Sequence, residues 1–390
     1  MSSLFSSNVA FQYILYSNAV FNSFQHNTTN LGEEDIIMNL STLLCVLFSK
    51  LDGEKTANAA LHLLRGKRSG QTIQDVKYYD LKMFFGLLPK LPQQLFNETI
   101  NELVQLNCIE IDASSILHVT ESGRKLVESS RAFHFNGWDY RGREEMFFAR
   151  LSLVVQTLSH FRVGQKRFMP AQREIEIQQF VKKVLSGHPI EEPNFSRQLK
   201  AELQTAFEES GMEEIQKVIF THRLVGYQHT GWTWAQLENQ LRMPSLSIKL
   251  YYIESLHLLL KTIEREKTTP FLKELAKDIK LVTHLTESSA ITKNLFDKGL
   301  SLEEIAATRQ LKLSTIEDHI VEIAIHDHDF PIEQFVSFED SLKVQKKSIE
   351  LETKRLRLLK EVFPQLTYFQ LRLILGASMK GEAAWTSIQP

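Results

Sequence analysis

Helical periodicity, with few residues that interrupt it, constrains this chain more than any other feature of the sequence. Glycine and proline number only 16 and 10 among 390 residues, and these two residue types disfavour helices most strongly. Apolar residues recur at steps of three and four through most of the sequence, as they do on the buried face of an amphipathic helix. The sequence therefore predicts a mainly α-helical protein.

The periodic stretches define a series of predicted helices. In the first part of the chain they cover 9–24, 35–49 and 92–106, and the segment 65–82 is predicted to be a basic loop region. Further along they cover 143–161, 170–186, 194–209, 212–226, 233–242, 245–266 and 269–285.

One short stretch, NCIEIDASSILHVTESG, has the alternating period of a β-strand instead. Ile109 and Ile111 alternate with Glu110, and apolar residues resume after the turn-like sequence at 112–115. This pattern predicts a small β-hairpin. Helices followed by a small hairpin are the arrangement of a winged-helix domain.

The sequence GLSLEEIAATRQLKLSTIEDHI at 299–320 predicts a helix-turn-helix. Ile305 and Ala306 occupy the packing positions of a first helix, and Leu311 fills the turn. Gln310 stands where such a turn usually has glycine, which requires either a left-handed non-glycine backbone or a different turn. The second helix is expected to begin with a capping box of Ser314 and Glu317, and to bury an inner face of Ile316, Ile320 and Ile323.

The second helix of this motif carries acidic residues on the face predicted to be exposed, Glu317, Asp318 and Glu322. These carboxylates would repel DNA phosphates, so base reading by this helix is disfavoured. Protein docking or a scaffolding role is the alternative.

The predicted architecture has four parts. Residues 1–34 form an N-terminal helical extension, 35–132 a winged-helix domain with a small β-hairpin, 133–287 a helical middle domain, and 288–380 a C-terminal helix-turn-helix domain. The many aromatic residues of the middle domain are expected to serve core and interface packing.

Charge is nearly balanced overall, so an anion-binding site has to be a local patch. Lysine and arginine total 45 against 47 acidic residues. Between 61 and 90, however, basic residues outnumber Asp75 and Asp80: they are Arg65, Lys67, Arg68, Lys77, Lys82 and Lys90. Loop cations of this kind can contact a phosphate chain, although a solubilising surface loop has the same composition.

Three further groups are candidate DNA contacts. Gln94 and Asn97 begin a stripe of amides on the predicted helix 92–106, and amides can pair with adenine edges. Arg309 and Lys312 lie in the turn of the helix-turn-helix. Lys354, Arg355 and Arg357 belong to a basic segment at 343–360, which is typical either of a phosphate-tracking helix or of a solvated helix face.

Motifs of catalysis are missing from the sequence. It has no GxxxxGK[ST], GxSxG or HExxH pattern, so we expect neither an enzyme nor a cofactor site. Two cysteines, Cys45 and Cys108, do not have metal-ligand spacing, and His326–Asp329 is predicted to be a solvated loop. The first residues lack a charged signal region, and no apolar stretch reaches the roughly 18 residues that span a bilayer. We therefore expect a cytoplasmic, nucleoid-associated protein.

Two blocks of the sequence resemble accessory regions of RecQ-type helicases. Residues 60–128, with LLRGKRSGQTIQD, FFG at 84–86 and LHVTESGRKLVE, resemble the RQC winged-helix domain. Residues 290–323, with KGLSLEEIAATRQLKLSTIEDHIVE, resemble the helicase-C-terminal-associated helix-turn-helix family. The combination without a motor domain is similar to YpbB-type proteins of Firmicutes, which are encoded beside a short RecQ-type helicase.

That resemblance implies a non-catalytic accessory factor for DNA repair or recombination. It implies a RecQ-family helicase as partner, and duplex or junction DNA bound by its backbone near Arg65, Lys67 and Arg68. The zinc-binding cysteines of RecQ helicases are absent, and the wing at 112–115 lacks an aromatic tip, so duplex binding without strand opening is expected. A helix-turn-helix transcription regulator and a protein-binding scaffold are the alternatives.

Overall fold

The computed structural model describes residues 38–51, 53–281, 285–327 and 329–377. The helix predicted at 9–24, and with it the extension 1–34, lies outside the described residues. Packing divides the chain into two units. Among the described residues, the first unit combines those up to Leu43 with Lys125–Leu281, and the second combines Leu44–Arg124 with those after Leu281. The predicted winged-helix and helix-turn-helix segments therefore lie largely in the same unit.

The described residues are mainly helical with one small sheet, which confirms the predicted fold class. The first elements are α1 (Leu40–Leu51), α2 (Ala57–Leu64), α3 (Gly70–Tyr78), α4 (Gln93–Gln105), β1 (Ile109–Ile111), β2 (Leu117–Val119) and α5 (Glu121–Ser129). They are followed by α6 (Gly137–Tyr140), α7 (Glu144–Arg162), α8 (Ile175–Ser186), α9 (Pro193–Glu209), α10 (Glu214–Arg223), α11 (Trp234–Leu241), α12 (Ser245–Arg265) and α13 (Pro270–Leu275). The last are α14 (Glu287–Asp297), α15 (Leu302–Arg309), α16 (Leu313–His326), α17 (Phe338–Glu350), α18 (Leu356–Val362) and α19 (Tyr368–Gly376).

The predicted β-hairpin is confirmed. Strands β1 and β2 are antiparallel, with Ile109 opposite Val119 and Ile111 opposite Leu117. The turn between them is held by Asp112, whose carboxylate accepts hydrogen bonds from two backbone N–H groups further along the turn, at 2.8 and 2.9 Å. These bonds, that to the Ile116 N–H foremost, lower the pKa of Asp112. The hairpin is thus fixed by its own turn.

The prediction of a loop at 65–82 is wrong. Helix α3 occupies much of it, and a short 3₁₀ turn follows at Lys82–Phe84. Ser69 caps α3 by accepting a hydrogen bond from the Thr72 N–H at 3.3 Å. The Tyr78 hydroxyl donates to the Arg372 carbonyl oxygen at 2.8 Å, and α3 packs against α16 and α19. Tertiary packing stabilises a helix whose polar composition is typical of a loop.

The turn of the helix-turn-helix has the left-handed residue that the sequence requires. Gln310 closes α15 with a φ of 52°, and Ile305, Ile316, Ile320 and Ile323 are buried as predicted. The predicted capping box is wrong, because α16 begins at Leu313, ahead of Ser314, and has Lys312 at its N-cap. A capping box occurs instead on α15, where Ser301 pairs with Glu304.

In the first unit the long helices α7 and α12 are the most extensively buried. Glu254 of α12 is fully buried and accepts hydrogen bonds from the side chains of Arg131 and Gln216, each at 2.7 Å. The helix predicted at 269–285 ends early, at Leu275, where Arg150 donates to its carbonyl oxygen at 3.0 Å. Asp278 then adopts a φ of 63°, which a helix does not allow.

None of the helices in the described ranges is both long enough and apolar enough to cross a membrane.

Candidate nucleic-acid interface

Two glycine-containing loops of the second unit lie directly against each other. The first follows α2 and contains Gly66, and the second follows the 3₁₀ turn and contains Gly86; their φ angles are 70° and 68°. A Cβ atom on Gly66 would lie 2.9 Å from the Gly86 Cα. The Gly86 and Leu88 N–H groups donate to the Leu63 and Leu64 carbonyls, both at 2.9 Å. The loops therefore form one rigid surface.

Arg65 connects this surface to the start of α4. Its Nε and Nη2 donate to the Leu91 carbonyl oxygen at 3.0 and 2.7 Å. Leu91 precedes Pro92, the N-cap residue of α4. The half-buried Arg65 guanidinium is thus engaged with backbone of its own chain, and it fixes where α4 begins.

The exposed cations of the two loops are Lys67 and Arg68 from the first and Lys90 from the second. Lys82 is exposed at the beginning of the 3₁₀ turn, whereas Lys77 is half-buried on α3. Desolvation lowers the pKa of His62 on α2, and the positive charges of Lys67 and Arg65 lower it further. The potential around the two loops is therefore positive, although the chain as a whole is near neutral.

The outer face of α4 differs electrostatically from these loops. Gln94 and Asn97 are exposed there as predicted, and their amides are engaged along the helix: Gln94 donates to Glu98 at 2.9 Å and Asn97 accepts from Gln93 at 3.0 Å. Glu98 and Glu102 are exposed on the same helix, which has no lysine or arginine. Its first turn has no acidic residue and no capping side chain, so only the N-terminal end of α4 favours a phosphate.

Helix α16 is largely covered, which corrects the prediction of an exposed acidic face. It packs against α3, α14 and α19. Glu322 is only 3% exposed and accepts hydrogen bonds from the Thr286 N–H at 2.5 Å and the Ser289 hydroxyl at 2.6 Å. This carboxylate therefore holds α16 to α14.

The other two acidic side chains of α16, Asp318 and Glu317, also interact with a cation of the same unit. Asp318 forms an ion pair with Arg372 of α19, and Glu317 lies 3.9 Å from the same guanidinium. Both are half-buried, and desolvation raises the pKa of Glu317. Since only the first residues of α16, Leu313 and Ser314, are exposed, the body of this helix is not accessible to a DNA groove.

The two candidate cations of the turn have different environments. Arg309 is half-buried; it donates to the Ser288 carbonyl and hydroxyl oxygens at 2.7 and 2.9 Å and to the Thr292 hydroxyl. Lys312 is exposed at the start of α16. The turn therefore offers Lys312 to solvent, while Arg309 connects α15 to α14.

The candidates at 354–357 are also divided. Lys354 donates to the Tyr78 carbonyl oxygen and lies 5.5 Å from the ring centre of Tyr79; desolvation lowers its pKa. Arg357 pairs with Glu361 at 3.4 Å, and Arg355 is exposed. Only part of this basic segment is available to a ligand.

The histidine- and aspartate-rich segment 326–329 is only partly within the described residues, because His328 lies outside them. Asp327 pairs with Lys293 at 3.1 Å. Across the described ranges, His, Cys, Asp and Glu side chains do not form a group of three or more that could hold a metal ion.

Comparison with known proteins agrees with the helix-turn-helix part of this description. A family model described as "Helix-turn-helix domain" matches residues 288–375. The chain is similar to "Protein YpbB" of Bacillus subtilis (strain 168), with 31% identity over 333 residues, which cover 84% of this chain and 94% of that protein. No solved structure matches significantly. A helix-turn-helix domain suggests DNA binding, whereas the resemblance to the RQC domain stays a prediction.

Proposed function

The chain belongs to the YpbB family, and from this premise we propose that it is a non-catalytic factor that binds duplex or junction DNA through the phosphate backbone. The observation that carries the proposal is the set of exposed cations, Lys67, Arg68 and Lys90, on two loops in mutual contact beside the N-terminal end of α4. Cations and helix N-termini are the groups with which proteins contact phosphates.

Recognition is expected to be independent of base sequence. The body of α16 is packed against four other helices, so it is not available to read base edges as in a helix-turn-helix regulator. The accessible helix, α4, carries Glu98 and Glu102 along its outer face, which opposes deep entry into a groove lined by phosphates. Contacts between a local group of cations and the DNA phosphate backbone explain how a near-neutral chain can bind DNA.

The proposal includes a RecQ-family helicase as the protein partner, in DNA repair or recombination. This step rests on the resemblance of residues 60–128 to the RQC winged helix. In the second unit that segment packs with the helix-turn-helix segment, so the two DNA-binding modules that the resemblance implies would act as one accessory body.

Charge reversal on the two loops tests the DNA site. The triple variant Lys67→Glu, Arg68→Glu, Lys90→Glu is compared with a matched triple in the first unit, Arg173→Glu, Lys182→Glu, Lys183→Glu, all exposed. Binding to a fluorescein-labelled random-sequence duplex is followed by anisotropy at several salt concentrations. We expect the loop triple to weaken binding strongly and to lower the salt slope by about two to three, since each phosphate contact contributes about 0.9. The matched triple should bind like the parent.

Three results would contradict the proposal in different ways. An equal loss of DNA binding in both triple variants would indicate that only the overall charge of the protein matters. Unchanged binding by the loop triple would overturn the site. Strong preference for one duplex sequence over random competitor would favour a transcription regulator.

Addition of the purified cognate helicase tests the partner. We expect the parent and the loop triple to associate equally with the helicase, because helicase association should not require the DNA-binding cations. No association in either case would refute the helicase part and leave DNA binding to stand alone.

A further inference from the structure

The first unit contains a cavity that the DNA-binding site does not use. It has a volume of about 310 Å³ and lies between the last turns of α7 and the segment 224–232, which joins α10 to α11. Its size is within the range of small-molecule sites, which starts near 300 Å³. A second cavity of about 440 Å³ lies at the start of α9. Arg162, at the end of α7, lines both cavities and so lies between them.

The walls of the first cavity are held rigidly by α7. Two of its serines, Ser152 and Ser159, accept hydrogen bonds from the Val225 and Tyr227 N–H groups at 3.2 and 2.9 Å. The two serines are two helical turns apart on one face of α7. They fix the segment 224–232 in place, so the cavity is formed before any ligand arrives.

The far end of the same segment is fixed against α10. The Trp232 N–H donates to the His222 carbonyl oxygen at 2.7 Å, and Arg223 donates to the Trp232 carbonyl oxygen at 2.9 Å. Gly231, with a φ of 70°, permits this approach, because a Cβ there would lie 2.7 Å from the Arg223 carbonyl oxygen. The indole of Trp232 is thus positioned by backbone bonds on both sides.

One wall of the cavity is a pair of stacked aromatic rings. The rings of His222 and Trp232 are 4.1 Å apart between centres and 12° from parallel, and both residues line the cavity. Desolvation lowers the pKa of His222, which favours the neutral imidazole and leaves this wall without charge. A flat heteroaromatic ligand can extend such a stack.

The rest of the lining is polar and positive. The polar residues Gln228, Thr230 and Gln236 also line the first cavity. The exposed guanidinium of Arg162 has no hydrogen bond or ion pair within the part of the chain that the structure describes. The second cavity adds Arg197 and Lys200. The same cavity contains two acidic residues, Glu191 and Glu192, fewer than its three cations. Glu191 is paired with Lys166 at 2.5 Å, which offsets its charge, and Glu192 is the N-cap residue of α9.

We infer that these adjoining cavities bind a phosphorylated nucleoside, with the base stacked beside Trp232 and the phosphate on Arg162. A flat wall with amide donors suits a nucleobase, and a guanidinium without a partner suits a phosphate, which it can bind in a bidentate manner. The same chemistry is offered by a free nucleotide and by the end of a single strand. The site lies in the other unit from the proposed duplex-binding loops and does not depend on them.

Quenching of tryptophan fluorescence in the full chain tests the inference. The probes are AMP, adenosine, inorganic pyrophosphate and a short single-stranded oligodeoxyadenylate. We expect saturable quenching by AMP or by the oligonucleotide, and binding at least about tenfold weaker in Arg162→Gln, since a hydrogen bond to a charged group contributes about that much. The matched control Arg173→Gln, an exposed arginine that lines neither cavity, should behave like the parent.

A second variant, Trp232→Phe, keeps a stacking ring and removes the indole. Binding of AMP should persist by calorimetry while most of the quenching disappears. Tighter binding of the oligonucleotide than of AMP identifies a strand end as the ligand, and equal binding identifies the free nucleotide. Absence of saturable binding by any probe overturns the site, and pyrophosphate binding as tightly as AMP overturns the nucleobase part.

Failure here is separable from failure of the proposed function. The loop triple should bind AMP like the parent, and Arg162→Gln should bind the random duplex like the parent.

Discussion

Gly66 and Gly86 lie in the two short motifs, LRG and FFG, that carry the resemblance of this region. The structure gives a physical reason for both glycines, because both have positive φ angles. Their backbones also lie so close together that a side chain on Gly66 would collide with Gly86. This contact brings Lys67 and Lys90 onto one surface. The sequence indicated the cations but not the contact, because the two loops are separated by a helix that was predicted to be a loop.

Replacing Gly66 by alanine should therefore destabilise the protein by about 2–3 kcal/mol. The left-handed backbone costs a non-glycine residue about 1–2 kcal/mol, and the added Cβ would also collide with Gly86. The control is Gly164→Ala, because Gly164 has a φ of 75° with nothing within 4 Å of its Cβ position. Urea unfolding should show a clearly larger loss for Gly66→Ala than for Gly164→Ala; equal losses would refute the steric part.

The two cysteines, far apart in sequence, lie in one place in the fold. Both are buried, and desolvation, followed by the neighbouring Cys108, raises the pKa of Cys45 to about 12. The thiolate is the reactive form, so the native protein should react slowly with a thiol reagent near pH 8, slightly below the ordinary thiol pKa of about 8.5. Ellman's reagent should modify both cysteines promptly only after unfolding in guanidinium chloride. Rapid modification of the folded chain would contradict this burial.

Among the helices, α16 shows how a motif can keep its shape and change its role. The turn at Gln310 and the buried isoleucines follow from the sequence pattern. The environment of Glu317, Asp318 and Glu322 does not follow from that pattern. A helical pattern places these residues on the outer face of the helix without indicating which elements cover that face. The groups that bind these carboxylates belong to α14 and α19, which are separate segments of the chain. Local sequence preferences therefore do not predict these contacts.

Removing the carboxylate of Glu322 should destabilise the helix-turn-helix by about 2–3 kcal/mol, because the Thr286 N–H and the Ser289 hydroxyl would lose a charged acceptor. Thermal or urea unfolding of Glu322→Ala measures this loss. The exposed Glu303 of α15 supplies the matched control, and Glu303→Ala should stay within about 0.5 kcal/mol of the parent. If both variants unfold alike, the buried network does not stabilise the fold.

Helices α3 and α13 show two opposite errors of prediction from sequence, a helix that was missed and a helix that was made too long. The composition of α3 is polar and does not indicate a helix, but tertiary packing stabilises one there. The apolar periodicity after Leu275 predicts a continuation of α13 that does not form. In the second case Arg150 binds the carbonyl oxygens of Leu275 and Lys277 from another helix. Helix existence was predictable for long periodic stretches, whereas ends depend on such distant contacts.

At the scale of the whole molecule, half-buried histidines should make stability fall in mild acid. Desolvation is the first cause of the lowered pKa of His160, His222 and His319. Each is therefore held neutral in the folded state and takes up a proton more readily when unfolded, near its ordinary value of 6.5. Since the unfolded state then binds more protons, stability is full above that value and is lost as the pH falls through it.

We accordingly expect a lower Tm at about pH 5.5 than at about pH 7.5, measured by scanning calorimetry. The difference in Tm between the two pH values is the readout, so a variant may be less stable at both without confusing the test. His222→Asn should reduce this difference, and His134→Gln, at an exposed position, is the matched control. A pH-independent Tm would contradict the contribution of these half-buried imidazoles.

The division of the chain has a consequence for how the protein is made. Leu44–Arg124 belongs to one unit with residues beyond Leu281, and the whole of Lys125–Leu281 is inserted between them. During synthesis, the ribosome releases α3 well before α16 and α19, the helices that cover it. Until those helices emerge, the nascent chain exposes Tyr78 and its apolar neighbours, which makes this interval a natural point for chaperone capture, and a fragment ending at Leu281 prone to aggregate.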